Sequence, residues 1–164
     1  MRRHVTLLFL RREGEILLAM KKRGLGTGKW NGVGGKLEPG ETAEQAAIRE
    51  CEEEIGVTPH KLRKVAEIDF YLTDSPDFNH YAHVYETEIW DGDPIETDEM
   101  RPGWFALGDI PYGQMWGDDK FWLPVTLAGK KLKGKLVLDD DENIVENTLT
   151  EVTSEEKWTH GSTT

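Results

Sequence analysis

The sequence contains a single cysteine, Cys51. A disulfide needs two cysteines and a cysteine-ligated zinc site needs several, so the chain forms neither internally. Proteins without disulfides are compatible with a reducing compartment. We therefore expect a cytoplasmic protein.

Long apolar runs are also missing. The apolar segment that starts at Val5 is short, is mixed with polar residues and has no cleavage-type end. A membrane-spanning helix needs about 20 predominantly apolar residues, and a secretory signal ends its apolar stretch at small residues. We predict neither feature, and no membrane partner.

Basic residues are few, because 20 Lys and Arg stand against 31 Asp and Glu, for a formal net charge of −11. DNA, RNA and anionic membranes bind basic surfaces that release their counterions. We therefore expect no nucleic-acid polymer as a partner. A small anionic ligand would need a cation between itself and the protein.

Aromatic and aliphatic residues are plentiful. The hydrophobic fraction is 37%, with six Trp, five Phe and four Tyr in 164 residues. This length and composition suit one hydrophobic core and leave little room for a second domain. We expect a single-domain monomer.

Stretches rich in β-forming residues, bounded by turn residues, predict strands. They span residues 5–10, 16–20, 62–72, 80–89, 103–105 and 132–138. The first two are predicted to form a hairpin, so the sheet is mixed or antiparallel.

Two helices are predicted. Thr42 and Gln45 form a capping-box pattern, and Gly56 stands where a helix beginning at residue 43 would end in a left-handed residue. A second helix is predicted from about residues 117–119 through Leu127, with Pro124 in a first turn or at a kink. Between the hairpin and the first helix, a high density of glycine favours tight turns and close approach of the backbone to a ligand.

Three carboxylates on the first helix share one face, since Glu53 and Glu54 are i+3 and i+4 from Glu50. Their repulsion costs a few tenths of a kcal/mol per pair, and a hard divalent cation such as Mg²⁺ would turn that cost into binding energy. Arg49 is i,i+4 from Glu53 and can hold that carboxylate in place. Spacing alone does not separate this interpretation from a solvated acidic face.

The other faces of this helix are predicted to have distinct environments. Glu52 lies on the opposite side from the cluster, and Ile48, Cys51 and Ile55 are predicted to face the core.

Residues 35–57 resemble the Nudix box, a motif of 23 positions written Gly-x5-Glu-x7-Arg-Glu-U-x-Glu-Glu-x-Gly-U, in which U is a bulky apolar residue. Its fixed positions are filled by Gly35, Glu41, Arg49, Glu50, Glu53, Glu54, Gly56 and Val57. Cys51, at an apolar position, is the one mild departure. A pattern of this length is far more specific than a lone glycine motif.

The Nudix resemblance implies an α/β/α sandwich with a mixed central sheet, and hydrolysis of a nucleoside diphosphate linked to another group. It implies that Glu50, Glu53 and Glu54 hold Mg²⁺, with Mn²⁺ as a substitute, and that one glutamate acts as a base. Further oxygen ligands would be the Gly34 and Lys36 carbonyls. Catalytic roles are thus expected for Glu50, Glu53, Glu54, Arg49 and Glu99, the last as a late ligand or base, with an exposed loop carboxylate as the alternative.

Segments outside the Nudix box narrow the resemblance to one group within the family. Residues 20–24, 30–32, 99–102 and 115–119 resemble the animal-type oxidised purine nucleoside triphosphatases of the same family. The likeness runs from about Val5 to Val152, which implies a Nudix domain at residues 1–152. Residues 153–164 fall beyond it, and we expect a tail with the composition of a disordered segment.

That likeness implies hydrolysis of 8-oxo-dGTP, and also of 2-hydroxy-dATP, to the monophosphate and pyrophosphate, which would clean the nucleotide pool. The residues implied in substrate binding are Asn31, Asp118 and Asp119 at the base edge, Trp116 stacked on the base, Thr6 and Lys21 near the sugar or phosphates, and Phe70 in the pocket. Two adjacent carboxylates in an apolar pocket do not both stay ionised, so one can donate to the base while the other accepts.

Each of these roles has a simpler alternative. Asp118 and Asp119 are also suited to capping the following helix, Trp116 to the core, Asn31 to a turn, and Lys21 to a solvated basic patch. Different nucleotides are alternative substrates: a methylated purine triphosphate, a standard dNTP or a dinucleotide. A non-catalytic nucleotide-binding domain is a further alternative, although no metal carboxylate of the motif is missing.

The flanks also depart from the animal enzymes. Leu25 and Leu72 stand where those enzymes have aromatic residues, Gly117 replaces a proline, and residues 77–80 do not align cleanly. The expected base preference depends on whether the pocket tolerates these changes.

Overall fold

The computed structural model describes residues 3–153 and Trp158. The strands are β1 (Arg3–Arg12), β2 (Glu15–Lys21), β3 (Trp30–Asn31), β4 (Thr58–His60), β5 (Arg63–Leu72), β6 (His80–Thr87), β7 (Ile89–Asp91), β8 (Met100–Ala106), β9 (Leu132–Leu138), β10 (Ile144–Asn147) and β11 (Thr150–Glu151). The helices are α1 (Ala43–Ile55) and α2 (Asp119–Leu127), with 3₁₀ turns at Pro76–Phe78, Leu107–Asp109 and Tyr112–Gln114.

A large mixed sheet forms the centre of the fold, in the order β10-β9-β5-β6-β1-β2-β3, with β11 also on β9 and β8 on β2. The β1–β6 and β5–β9 pairs are parallel, whereas β1–β2, β5–β6 and β2–β8 are antiparallel. The predicted mixed sheet and opening hairpin are confirmed.

The strand predicted over residues 80–89 is wrong at its end, because β6 stops at Thr87 and β7 pairs with β4 in a separate small sheet. The buried Thr87 hydroxyl stabilises the chain where it turns away from β6. It accepts a hydrogen bond from the Ile89 amide at 3.1 Å and donates to the His60 carbonyl. The small strands β3, β4, β10 and β11 carried no recognised sequence pattern.

Helix α1 begins and ends as its sequence predicts. The Thr42 hydroxyl accepts from the Gln45 amide at 3.1 Å, the Gln45 side chain accepts from the Thr42 amide at 2.9 Å, and Gly56 has φ 71°. The predicted core stripe is partly wrong, since Ile48 is only half-buried. The buried stripe follows the i+4 spacing of Ala43, Ala47, Cys51 and Ile55, and Ile48 lies one position, about 100°, away from it.

Helix α2 begins at Asp119 and contains Pro124 in its interior, beyond the first turn. A proline there removes one backbone hydrogen bond of the helix. The helix is held instead by its apolar side, because Trp122 and Leu123 are 1% and 0% exposed.

Two hydrophobic clusters cover the two faces of the sheet. One joins α1 to Leu8, Leu10 and other residues on one face of β1 and β2. The other joins α2 to Phe9, Ile16 and their neighbours on the opposite face. This alternation is the strand period of two, and it gives the predicted α/β/α sandwich.

Two further expectations concern partners and the chain end. Within residues 3–153 and 158, no helix is long and apolar enough to cross a membrane.

The tail predicted at residues 153–164 lies outside the described residues, apart from Thr153 and Trp158.

Candidate active site

The glycine segment after β3 runs antiparallel beside β1 and brings its backbone against α1. The Thr6 amide donates to the Gly35 carbonyl at 2.8 Å. A Cβ atom at position 34 would lie 1.8 Å from the Thr6 carbonyl oxygen, and one at position 35 would lie 2.3 Å from Glu50 Oε2. Position 34 therefore requires glycine, and a side chain at position 35 would displace the Glu50 carboxylate, so the two glycines place a loop backbone directly beside a helix carboxylate.

Glu54 is the most buried carboxylate of α1, with 4% of its surface exposed. Its Oε1 atom accepts a hydrogen bond from the Gly34 amide at 2.8 Å. Burial raises the pKa of Glu54 to about 8, and the charges of Glu50 and Glu99 act in the same direction, while Lys21 opposes them. The side chain therefore lies where a positive charge would be strongly attracted.

Glu50 is half-buried and Glu53 is exposed. Burial raises the pKa of Glu50, Arg49 opposes this shift, and the nearby carboxylate of Glu53 adds to it. The three glutamates therefore extend from the interior to the surface along one side of α1, and each is electrostatically coupled to a neighbour.

Arg49 connects two of these carboxylates, those of Glu50 and Glu53, to the segment that precedes the helix. Its guanidinium donates to both oxygens of Glu41 at 2.7 and 2.9 Å, to Glu50 at 2.6 Å, to Glu53 at 3.3 Å and to the Lys36 carbonyl at 3.1 Å. Arg49 lowers the pKa of Glu41, and its carboxylate partners raise its own pKa. The predicted contact with Glu53 is confirmed.

The bidentate pair of Arg49 with Glu41 was missed from the sequence. Glu41 occupies a fixed position of the Nudix box, and that position was the available signal.

The donor set around Arg49 fits a hard divalent cation by its chemistry. Carboxylate and carbonyl oxygens are the ligands that Mg²⁺ prefers. Burial raises the pKa values of Glu50 and Glu54, and a bound cation would stabilise their ionised forms. Among residues 3–153 and 158, no three acidic, histidine or cysteine side chains converge on one point as a finished cage. Arg49 instead binds the carboxylates of Glu41, Glu50 and Glu53.

A cleft with about 480 Å³ of empty volume, partly open to solvent, lies beside this segment. Its lining consists of Leu7, Ala19, Lys21, Leu25, Gly26, Lys29, Asn31, Gly32, Gly34, Met100 and Trp116. The predicted residues Lys21, Asn31 and Trp116 thus lie together, next to Gly34. The alternative that placed Trp116 in the core is wrong, because its ring is only half-buried.

Side chains in the cleft are held by local contacts. Asn31 Oδ1 accepts from the Gly32 amide at 2.8 Å. This local hydrogen bond is typical of an asparagine in a turn, the simpler role considered for Asn31 in the sequence analysis. Leu25 is 70% exposed in the lining of the cleft.

Asp118 and Asp119 are buried, at 6% and 3% exposed. Asp118 accepts from the indole N–H of Trp122 at 2.8 Å, and it makes no side-chain capping bond to α2. Asp119 Oδ2 has no hydrogen-bond partner within the described part of the chain. Burial raises the pKa of both carboxyl groups, and the charge of Asp118 raises that of Asp119 further. Helix capping therefore does not account for Asp118.

Three predicted residues lie away from the cleft surface. Thr6 is 1% exposed and its hydroxyl interacts only weakly with the Gly35 backbone, at 3.4 and 3.5 Å, so it shapes the glycine segment from below. Phe70 lies in the core, 6% exposed, with its ring stacked on His80 at 4.8 Å. Glu99 is exposed, 3.6 Å from Arg23, yet close enough to Glu54 to raise its pKa.

Comparison with known proteins identifies the family. The model of the NUDIX domain matches residues 1–124.

The chain belongs to the Nudix family.

Relatives and solved structures agree with this assignment. The chain is 44% identical over 148 residues to the oxidized purine nucleoside triphosphate hydrolase of Danio rerio, covering 90% of this chain and 94% of the relative. It is 42% identical over 149 residues to the protein of the same name from Mus musculus, covering 91% and 95%. The fold is similar to that of a MutT protein from Bacillus halodurans, with a TM-score of 0.78, 21% identity and coverage of 90% and 97%.

The predicted enzyme class is confirmed, and the protein is a Nudix hydrolase. The comparisons name no metal and no site residue, so the residue roles above stay predictions.

Replacing Arg49 with Lys tests its organising role in this Nudix hydrolase. Lysine keeps the charge but cannot bind two oxygens of Glu41 as a fork. We expect the Mg²⁺ concentration for half-maximal activity to rise about 10- to 100-fold, the usual effect of losing a group that orients metal ligands. A Mg²⁺ titration of pyrophosphate release measures it.

The matched control is Arg63→Lys, which removes another guanidinium paired with a carboxylate, that of Glu86 at 3.0 Å. An unchanged Mg²⁺ requirement in Arg49→Lys would show that Arg49 serves the fold alone.

Proposed function

We propose that this Nudix hydrolase cleaves oxidised purine nucleoside triphosphates, above all 8-oxo-dGTP and also 2-hydroxy-dATP, to the monophosphate and pyrophosphate. The observation that carries the proposal is the buried pair Asp118–Asp119, with the unpartnered Asp119 Oδ2, in the segment that also supplies Trp116 to the cleft. The names of the relatives from Danio rerio and Mus musculus point to the same substrates.

The acidic pair is suited to reading a purine edge. Its raised pKa values favour a state in which the two carboxyls share one proton. One carboxyl then donates to a base oxygen and the other accepts from a base N–H. Oxidation adds such groups to a purine, so a pair of this kind can favour an oxidised base over the unmodified one.

The aromatic side of the cleft supplies affinity. Stacking on the indole of Trp116 adds about 1–3 kcal/mol without choosing among bases. Asn31 lies in the same cleft and offers an amide N–H₂ group, since its oxygen is bound to Gly32. Base choice therefore rests on Asn31 and the acidic pair.

We assign hydrolysis to the glutamates of α1, which adjoin the cleft through the hydrogen bond from the Gly34 amide to Glu54. Glu50, Glu53 and Glu54, with the carbonyls of Gly34 and Lys36, would hold Mg²⁺, or Mn²⁺ in its place. When bound, such an ion neutralises the polyphosphate and lowers the pKa of a bound water. Arg49 orients the carboxylates, Lys21 attracts the phosphates, and one glutamate, or Glu99, accepts the proton of the attacking water.

The biological setting that we propose follows from the substrate. The enzyme would act as a monomeric domain spanning residues 1–152 in the cytoplasm, where hydrolysis of oxidised triphosphates prevents their use by polymerases. Neither a nucleic-acid polymer nor a membrane has a place in this reaction, which agrees with the formal net charge of −11.

Steady-state kinetics on a panel of nucleotides tests the proposal. With Mg²⁺, we expect kcat/KM for 8-oxo-dGTP to exceed that for dGTP by about 10²-fold, because only the oxidised base satisfies the polar groups of the site. The panel includes 2-hydroxy-dATP, a methylated dATP and a dinucleotide polyphosphate. Equal efficiency on 8-oxo-dGTP and dGTP would remove the sanitising role and leave a Nudix hydrolase of another nucleotide.

A further inference from the structure

Glu142 lies beside the base-reading segment although it is far from it in the sequence. It belongs to the turn between β9 and β10, which is closed by hydrogen bonds from the Glu142 amide to the Asp139 carbonyl and from the Asp139 amide to the Asn143 carbonyl, both 3.0 Å. Glu142 has φ 63°, in the left-handed region that a residue with a side chain rarely adopts. Strained residues of this kind cluster at active sites, ligand clamps and switch regions.

The Glu142 carboxylate connects two segments of the cleft. Its Oε1 accepts from the Gly117 amide at 2.6 Å, and its Oε2 lies 3.6 Å from Lys29 Nζ. The Lys29 ammonium in turn lies 4.9 Å from the centroid of the Trp116 ring. One carboxylate therefore ties the glycine-rich loop between β2 and β3, residues 22–29, to the backbone between the indole of Trp116 and the acidic pair.

Gly117 makes this contact possible. A Cβ atom at position 117 would lie 2.8 Å from both Cβ and the carbonyl oxygen of Glu142. The absence of a side chain at Gly117 thus lets the Glu142 carboxylate reach the amide of this residue.

The charges of the two residues also act on the base-reading pair. Glu142 is among the groups that raise the pKa of Asp118 and of Asp119, after burial as the main cause, and Lys29 opposes it at Asp119. Both side chains are about two-thirds buried, with 33% exposed for Lys29 and 32% for Glu142, so solvent screens this ion pair less than an open surface pair.

We propose that Glu142 and Lys29 form a clasp that fixes the Trp116–Asp119 segment against the glycine-rich loop, and that this clasp sets the affinity and selectivity of the cleft for the purine base. Glu142 is a positioning residue, since it acts through Gly117, Lys29 and Trp116. The proposal rests on the proposed function for the identity of the base, but its contacts stand without it.

Binding of nucleoside monophosphates in EDTA tests the clasp without the metal reaction. By calorimetry, we expect Glu142→Ala to weaken binding of 8-oxo-dGMP about tenfold or more, the effect of losing a charge-assisted hydrogen bond, and to reduce the preference over dGMP. Glu142→Gln keeps an acceptor for the Gly117 amide and should recover part of the affinity. The double variant Lys29→Met/Glu142→Ala should lose less binding free energy than the sum of the two single variants, because both substitutions remove the same connection.

The matched control is Glu146→Ala, which removes another glutamate of the same hairpin, one paired with Lys135 at 2.7 Å on the exposed side. Kinetics with Mg²⁺ provide a second readout, in which KM for the best triphosphate rises in Glu142→Ala while kcat stays within about threefold, because the α1 carboxylates are unchanged.

Two outcomes would separate the proposals. If the wild-type protein binds 8-oxo-dGMP no better than dGMP, the proposed function fails, and the clasp is then judged on the monophosphate that binds best. The clasp is overturned if the wild-type protein prefers 8-oxo-dGMP to dGMP and Glu142→Ala has the same preference and the same affinity. It is also overturned if Glu142→Ala lowers kcat for all nucleotides alike.

Discussion

Replacing Glu53 with Gln is expected to lower kcat by about 10²- to 10⁴-fold, the range associated with losing a catalytic proton acceptor, while the fold survives. The glutamine has the same shape but lacks the charge needed to bind a dication or to accept a proton. The Glu53 side chain is 59% exposed, so the free energy of unfolding should change by only about 0.5 kcal/mol. Single-turnover pyrophosphate release and thermal melting measure the two quantities.

Glu52→Gln is the matched control for this result. Glu52 is the neighbouring exposed glutamate on the other side of α1, where it accepts from the Thr58 hydroxyl at 2.8 Å. It should keep wild-type turnover. Full activity in Glu53→Gln would instead move the catalytic assignment to Glu50, Glu54 or Glu99.

Asp119→Asn is expected to remove base choice and to leave hydrolysis intact. The amide has the size of the carboxyl group but cannot share a proton with Asp118, so the donor and acceptor pattern of the pair is fixed differently. We expect the ratio of kcat/KM for 8-oxo-dGTP to that for dGTP to fall by about 10²-fold. Competition between the two nucleotides in one reaction, followed by chromatography, reports the ratio directly.

The control for this change is Asp109→Asn, in the exposed 3₁₀ turn Leu107–Asp109. It should leave the ratio at the wild-type value. If the ratio of kcat/KM for 8-oxo-dGTP to that for dGTP is the same in Asp119→Asn as in the wild-type protein, the acidic pair does not read the base.

Local sequence determines some elements of this protein by itself. Thr42, Gln45 and Gly56 satisfy the backbone groups at the two ends of α1, so the limits of that helix could be predicted without the rest of the chain. The hairpin of β1 and β2 is similarly local. The order of strands is not local, because the parallel partners of β1 and β5 are β6 and β9, and no short pattern encodes these pairings.

The residues of the site also differ in whether local sequence predicts their positions. Glu50, Glu53, Glu54 and Arg49 lie within one helix, so their relative positions follow from its period. Glu142 approaches Gly117 only because β9 and α2 pack on the same core, and its own sequence neighbourhood is a run of acidic residues without a distinctive pattern. The role of Thr6 in substrate binding stays a prediction. The resemblance placed it near the substrate, but the close approach of Gly34 and Gly35 covers it.

The buried stripe of α1 includes Cys51, which is 0% exposed. Burial raises the pKa of its thiol to about 12, and the thiolate is the form that reacts with peroxides and alkylating agents. The folded protein therefore offers no ready target for sulfenic acid formation. The packing of α1 against the sheet thus also protects the sole sulfhydryl of the chain from peroxides and alkylating agents.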